Sequence, residues 1–366
     1  DNSKQTVSLS SENTITLTIG DVDFAMPMEI RRAINTRMEH GVLGYDTIPE
    51  SLSELIVDRM KRLYHWKIEP EWLVYLPGVV GGLNLAARGL TSPDQAIVTE
   101  RVVYYPVLDA AINANRSLKK VRPILTAGYW QFGMEEFQAH ARDKASRLLM
   151  LCNPQNPLGR VMQRDELEKI AEICLQQGLV ICADEIHSDI VFEQSRHIPI
   201  ASLSPEIAEI TVTLMSPSKA FAISGLGGGF AIIANRKLRQ AFCAAGEGIL
   251  PNLNVFSIAA LEAAYRDCDG WLLGLVEYLT ESRNLVHDRL AGISGIKALR
   301  PQGTYFTWLD VRNLELKQPY SDILAAGVEL SDGEKFGDRN FLRLNFGSPH
   351  SVLNEALDRI TVKLSR

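Results

Sequence analysis

The feature that most constrains this chain is a series of short, almost uniformly apolar runs that begins at Trp72. WLVYLP, QAIVT, LKKVRPI, RLLMLCNP, GLVICADE, EITVTLMS and GGFAIIA follow one another up to Ala234. Most are separated by stretches with helical spacing, such as GMEEFQAHAR and RDELEKIAEICLQQG. A strand with apolar residues on both faces has no side to turn to water, so these runs predict a mostly parallel sheet covered by helices. Ligands of such sheets gather beyond the carboxyl ends of the strands. Each unusual polar residue of this chain falls just after one of these runs.

The flanking regions read differently. MEIRRAINTRMEHG after Pro27 and PESLSELIVDRMKRLYHW (49–66) are amphipathic helices opened by proline. A helical region is expected from about Leu253 to Leu290. YFTWLDV, a helix near PYSDILAAG, the strand FLRLNF and a closing helix from Val352 follow it. A chain of 366 residues exceeds one ordinary core. The expected fold class is α/β, with a large central domain and a smaller α+β domain made by both termini. The boundaries are residues 1–43 for the N-terminal part of the small domain, 44–285 for the large domain and 286–366 for the C-terminal part.

Composition excludes several functions. A net charge of −6 leaves no basic stripe for nucleic acid. No apolar run approaches the ~20 residues that span a bilayer, and DNSKQTVSLSSENT lacks the apolar core of a signal peptide. Cys152, Cys174, Cys182, Cys243 and Cys268 are odd in number, show no CxxC pairing and mostly lie in apolar runs, so reduced thiols in a cytoplasmic protein are expected. The seven scattered histidines form no metal-ligand set, and no metal is expected.

The chemistry is carried by residues at strand ends. In TVTLMSPSKAFAISGLGGGF (211–230), Lys219 is the one charge. A lysine among small and apolar neighbours either reaches solvent or supplies an amine of lowered pKa, able to form a Schiff base. Ser216 and Ser218 beside it, with backbone N–H groups, can hold a phosphate. Asp184 and Glu185 end the run GLVICADE, with His187 close behind. These are either helix-capping acids or a carboxylate held for a cationic ring nitrogen. LCNPQNPLGR (151–160) places Asn156 in a fixed, non-helical turn. PGVVGG exposes the amides of Val79 and Val80 at a strand-to-helix turn. Tyr104 offers a stacking face. Arg343, in FLRLNFG, is placed to meet a carboxylate. Singly each has a structural explanation. Together they are the inventory that pyridoxal phosphate needs when it acts on an amino acid.

In this order the motifs NPQNPLG, ADEIH, SPSKAF and FLRLNFG resemble those of the fold-type I pyridoxal-phosphate enzymes, the aspartate aminotransferase superfamily, along nearly the whole chain. GDVDFAMP (20–27), GYDTIPESL with HWKIEPEWLVYLPGVV (44–80), and SKAFAISGL (218–226) are closer still to the C–S lyase branch, of the cystathionine β-lyase type. The resemblance implies a seven-stranded sheet and pyridoxal 5'-phosphate on Lys219, which also moves the Cα proton. It implies Asp184 at the pyridine nitrogen, and Asn156 and His187 at the edge of the ring that carries the phenolic oxygen. Tyr104 would stack on the ring. The phosphate would lie on Val79 and Val80 with Ser216 and Ser218, and Arg343 and Asn156 would bind the substrate. Tyr45 would reach the active site of a partner subunit, hence a homodimer with shared sites. Thr18 replaces the branch's usual tryptophan, Gly81 a proline, and Gly227 the phosphate-binding arginine of many aminotransferases. Glu100, Arg101 and Val107 alter the stretch around Tyr104.

The expected activity is α,β-elimination from cystathionine or a related cysteine S-conjugate. The alternatives are an aminotransferase, which uses the same inner residues, and a regulatory binding protein on this fold. A nicotinamide site at GLGGG is disfavoured, because Lys219 precedes it and no acidic residue follows at the ~20-residue spacing after a following helix and strand.

Overall fold

A computed structural model describes residues 13–364 apart from 194, 315 and 317. Most of the polar start DNSKQTVSLSSENT, and with it the first part of the segment 1–43, lies outside the described residues.

All seven apolar runs form strands of one seven-stranded sheet. Across it the order is Leu73–Leu76, Gly229–Ile232, Thr211–Met215, Val180–Asp184, Ser146–Cys152, Ala96–Glu100 and Ser117–Val121. Gly229–Ile232 runs antiparallel to both of its neighbours, and the other strands share one direction. Ala96–Glu100, Val180–Asp184, Thr211–Met215 and Gly229–Ile232 are buried at every residue, which is why their sequences do not alternate. Ser117–Val121 carries Lys119 and Lys120 and is accordingly an edge strand. Leu83, Ala86, Ala110 and Phe242 pack one face, and Phe137, Leu167, Ile170 and Cys174 the other.

The helices at Pro27 and Pro49 form as Met28–Glu39 and Glu50–Tyr64, each with its proline at the N-cap. The region read as helical from Leu253 to Leu290 is two helices, Val255–Asp267 and Asp269–Ala291, broken at Cys268. LKKVRPI contributes only its first part to the sheet. Ile124–Thr126 instead pairs with Tyr129–Gln131 in an exposed hairpin. The closing helix begins at His350, slightly before Val352.

Beyond the long helices lies an antiparallel sheet in the order Lys297–Ala298, Phe306–Asp310, Phe341–Asn345 and Ser331–Asp332. The N-terminal Ile15–Thr16 pairs in parallel with Val328–Glu329. Leu17 from one end and Leu344 and Leu357 from the other belong to one apolar cluster. Among the described residues no helix is long and apolar enough to cross a membrane, and no cluster of metal-ligating side chains occurs. The five cysteines are free, and all but Cys243 are buried.

One buried acid stands out. Glu100 closes its strand, and neither carboxyl oxygen has a hydrogen-bond partner. Burial first, and then the neighbouring Glu166, push its carboxyl up to about 7 from the ordinary 4.5, with Arg160 opposing. Between those two pH values the folded chain keeps a proton that the unfolded chain releases. The associated stability is therefore present below pH 4.5 and is lost as the pH rises through about 7. Glu100→Gln removes this dependence. In thermal melts across that window the variant should gain on the parent as pH rises, by at most roughly 3 kcal/mol. Parallel curves would show that Glu100 is not the titrating group.

Candidate active site

The carboxyl ends of the central strands open into a cavity of about 570 Å³. Of the residues expected from the sequence, Val79, Val80, Tyr104, Asn156, Asp184, His187, Ser216, Ser218, Lys219 and Arg343 all line it. Tyr45 does not. It is 103% exposed, in a segment without regular structure, and lies beside a second cavity bordered by Arg37, His40, Glu262 and Arg266.

One end of the cavity is built from small residues and backbone. Gly78 caps the helix Val79–Gly89, whose first amides have no carbonyl one turn earlier to bond to. Helix dipole and free N–H groups together make this an anion-binding corner. The Ser216 hydroxyl lies 2.6 Å from the Gly228 carbonyl oxygen and donates to it. It accepts from the Ser218 amide at 3.1 Å and stands 2.9 Å from the Ser218 hydroxyl. The Ser216 proton is thus donated inside the protein, while the Ser218 hydroxyl and the helix amides lie at the same corner.

Gly227 has φ +69° and ψ −156°, and a Cβ there would lie 2.6 Å from the Pro77 carbonyl oxygen. The backbone itself excludes an arginine at this position.

Lys219 occupies the middle of the cavity, half-buried, with Nζ donating to the Gly20 carbonyl at 2.5 Å. The Tyr305 hydroxyl donates to the same oxygen at 3.0 Å. Burial lowers the Lys219 pKa, and Arg343 lowers it further, against the opposing charges of Asp21 and Asp184. Asp184 is 2% exposed. Its carboxylate accepts from the Ile186 amide at 3.2 Å, and burial raises it to about 7. A cation beside a carboxyl so raised favours its ionised form, and Lys219 acts in that direction. His187 is buried with Nδ1 unpartnered and meets Tyr305 and Phe306 edge-on at 5.5 and 5.6 Å. Burial takes its pKa down to about 3, so the ring is neutral. Tyr104, at the N-cap of Tyr105–Asn113, also lines the cavity.

Arg343 is 4% exposed and, among the described residues, pairs with no carboxylate. Its Nη1 donates to Asn156 Oδ1 at 2.9 Å, and Nη2 donates to the Thr18 carbonyl and, at 3.2 Å, to Ser331 Oγ. Phe306 and Phe336 lie 4.1 and 4.6 Å from its guanidinium carbon. Burial lowers the Arg343 pKa from 12.5 to about 10, and the residue borders the cavity. Both Asn–Pro bonds of the adjoining turn, Asn153–Pro154 and Asn156–Pro157, are cis.

Gly20, Asp21, Tyr305, Phe306, Ser331 and Phe336 complete this arrangement, and sequence reasoning gave them no role. Asp21 and Gly20 lie in the quoted GDVDF stretch, where a carboxylate near the lysine was a readable signal. Tyr305 and Phe306 read only as strand residues, since nothing in TYFTW marks which ring faces a ligand. Glu185, beside Asp184, turns away from the cavity. Its Oε2 lies 2.8 Å from His197 Nε2, and its Oε1 accepts the Ile200 amide at 3.1 Å.

Comparison with known proteins settles the family. The pattern of class I and II aminotransferases matches residues 12–360. The chain belongs to this family. Among its relatives, cystathionine beta-lyase PatB of Bacillus subtilis is 34% identical over 95% of this chain and 92% of its own. The crystal structure of OvoB superposes with a TM-score of 0.93 at 37% identity, covering 95% of this chain and 92% of that one. Cystalysin of Treponema denticola, whose structure contains pyridoxal 5'-phosphate, superposes with a TM-score of 0.93 at 29% identity, covering 98% and 92%. The fold is thus that of the pyridoxal-phosphate-dependent members of the family, and the cavity suits their cofactor. A phosphate finds free helix amides, a pyridinium nitrogen finds an unpaired buried carboxyl, and an aldehyde finds a lysine of lowered pKa.

The anion corner makes a direct prediction. Gly227→Ala should lower Tm, with roughly 1–3 kcal/mol of backbone strain, and should weaken retention of pyridoxal phosphate measured by equilibrium dialysis. Gly225→Ala, where a Cβ meets nothing within 4 Å, should change neither. Equal behaviour of the two variants would contradict the strain argument.

Proposed function

We propose that this chain is a pyridoxal-phosphate-dependent C–S β-lyase, converting cystathionine or a related cysteine S-conjugate into pyruvate, ammonia and a thiol. The observation that carries the reading is a single cavity holding a lysine of lowered pKa, an unpaired buried carboxyl and an unpaired buried guanidinium. The likeness to PatB supports the lyase over the aminotransferase, as does the glycine at 227. When bound, pyridoxal phosphate supplies an electron sink joined to the substrate's Cα.

The protein's own groups do the rest. Lys219 holds the cofactor and, once displaced by the substrate amine, takes the Cα proton on Nζ. Burial lowers its pKa, which favours the deprotonated form this task needs. Gly20 and Tyr305 give the freed amine a fixed resting place. Asp184 holds a proton at the ring nitrogen, and the pairing returns its carboxyl to the ionised form. Neutral His187 and Asn156 would hold the phenolic edge of the cofactor, Tyr104 would hold its ring, and Val79, Val80 and Ser218 would hold its phosphate. Arg343 binds the substrate carboxylate in a fork, oriented by Asn156. Holding the carboxylate fixes which Cα bond lies over Lys219, and the Cβ–S bond breaks as that proton leaves.

Exposed Tyr45, with Val42 and Leu43 beside it, is an apolar segment that a monomer would not leave in water. In this reading the protein is a homodimer, and Tyr45 enters the active site of the partner subunit. The buried free thiols support a cytoplasmic enzyme. The division at residues 43/44 and 285/286 is retained as part of the same proposal.

Purified protein mixed with L-cystathionine should release pyruvate and free thiol without any added keto acid. Turnover only after a keto acid is added would replace the lyase with an aminotransferase. Lys219→Ala should abolish pyruvate release, and retained activity would move the function off this site. Lys219→Ala and Tyr45→Phe proteins should each lose at least about tenfold in kcat/KM. On mixing through reversible unfolding they should regain about a quarter of the parental activity, because one site of each hybrid dimer is intact. No recovery would rule out a shared site.

A further inference from the structure

Arg343, Lys219 and Asp184 occupy only the inner part of the cavity, which continues outward to a rim formed by Tyr320, Glu329, Asp332 and Lys335. We propose that this rim reads the far end of the substrate and selects S-conjugates that end in a zwitterion, carrying both an ammonium and a carboxylate. The inference rests on the lyase reading and names its substrate class.

The rim and the carboxylate clamp are one rigid piece. Ser331 lies opposite Arg343 in the sheet register and accepts its Nη2. The next residue, Asp332, accepts the Glu334 amide at 3.0 Å and so starts the short 3-10 turn Gly333–Phe336. That turn carries Lys335 next to Phe336, the ring that lies 4.6 Å from the Arg343 guanidinium carbon. A substrate fixed by its α-carboxylate on Arg343 is therefore held at a set distance from Lys335.

The charges of the rim are uncommitted. Among the described residues Lys335 makes no ion pair and no hydrogen bond. Glu329 accepts only the Thr16 hydroxyl at 3.2 Å, and Asp332 only its turn amide. The two carboxylates lie together around Tyr320, whose hydroxyl they help burial to hold in its protonated form. The mouth thus presents two carboxylates and an amine. A distal carboxylate would meet Lys335, and a distal ammonium would meet Glu329 and Asp332. An uncharged alkyl end gains nothing there, and an end carrying only a carboxylate is repelled by the two acids.

The test compares L-cystathionine, with its distal amino-acid head, against S-ethyl-L-cysteine, which shares the reacting half. The holoenzyme, Lys335→Ala and Lys335→Glu are assayed for pyruvate release and titrated by the change in cofactor absorbance. Lys335→Ala should lower kcat/KM for cystathionine about two- to fivefold, the range of an exposed ion pair. Lys335→Glu should lower it about tenfold, in both cases through KM. Values for S-ethylcysteine should move less than about twofold, and the parental preference for cystathionine should shrink as salt is raised. Equal losses for both substrates, or an unchanged ratio, would overturn the inference. The absorbance titration keeps the two ideas apart. If neither amino acid yields pyruvate, the lyase reading fails, while a change in the ratio of their dissociation constants still decides the role of the rim.

Discussion

The burial of Arg343 is the constraint on which the rest of the arrangement depends. Its two terminal nitrogens donate to three neutral acceptors, and each comes from a different part of the chain: Thr18 near the start, Asn156 after a central strand and Ser331 near the end. Phe306 and Phe336 close over its faces. The ion therefore ties the N-terminal stretch and the antiparallel sheet to the carboxyl end of the parallel sheet. An ion pair with an internal acid would have been a cheaper way to bury the charge. The structure instead leaves the charge without a counter-ion among the described residues, at the lining of the cavity, where a carboxylate would supply one.

The same logic extends across the site. Burial raises the Asp184 carboxyl, keeps His187 neutral and makes Lys219 easier to deprotonate. Each shift has the sign that desolvation dictates, and each is relieved or used by a cofactor with a cationic ring and an aldehyde. Perturbed groups of both signs converging on one cavity are a stronger mark of a reaction centre than any one of them. Glu100, equally buried and equally raised, shows why convergence is needed. It lies outside the cavity lining and is an isolated electrostatic cost.

Much of the sheet was legible from the chain. Uniform apolarity marked the buried strands, and two lysines marked the edge. The strand-end residues were legible because a polar group at the end of an apolar run must meet something. The break at Cys268 was not, since both helices on either side carry apolar residues of the same period. Nor was the direction of the Ser216 hydroxyl, because a hydroxyl next to a phosphate corner reads the same whether its proton goes to the ligand or to Gly228. The parts played by Tyr305 and Gly20 rest on contacts across nearly three hundred residues, which no local pattern encodes.

By itself, then, the order of residues determined the layered α/β architecture and the kinds of group at the site, because strand burial and motif chemistry act over short spans of chain. The tertiary structure alone decided which groups are uncompensated. It set Arg343 against neutral acceptors, turned the Ser216 hydroxyl to a backbone carbonyl, forced a conformation at Gly227 that only glycine adopts, and left Lys335 free at the mouth. Those outcomes depend on which distant atoms arrive within a few ångströms of one another, and that is fixed only when the whole chain has packed.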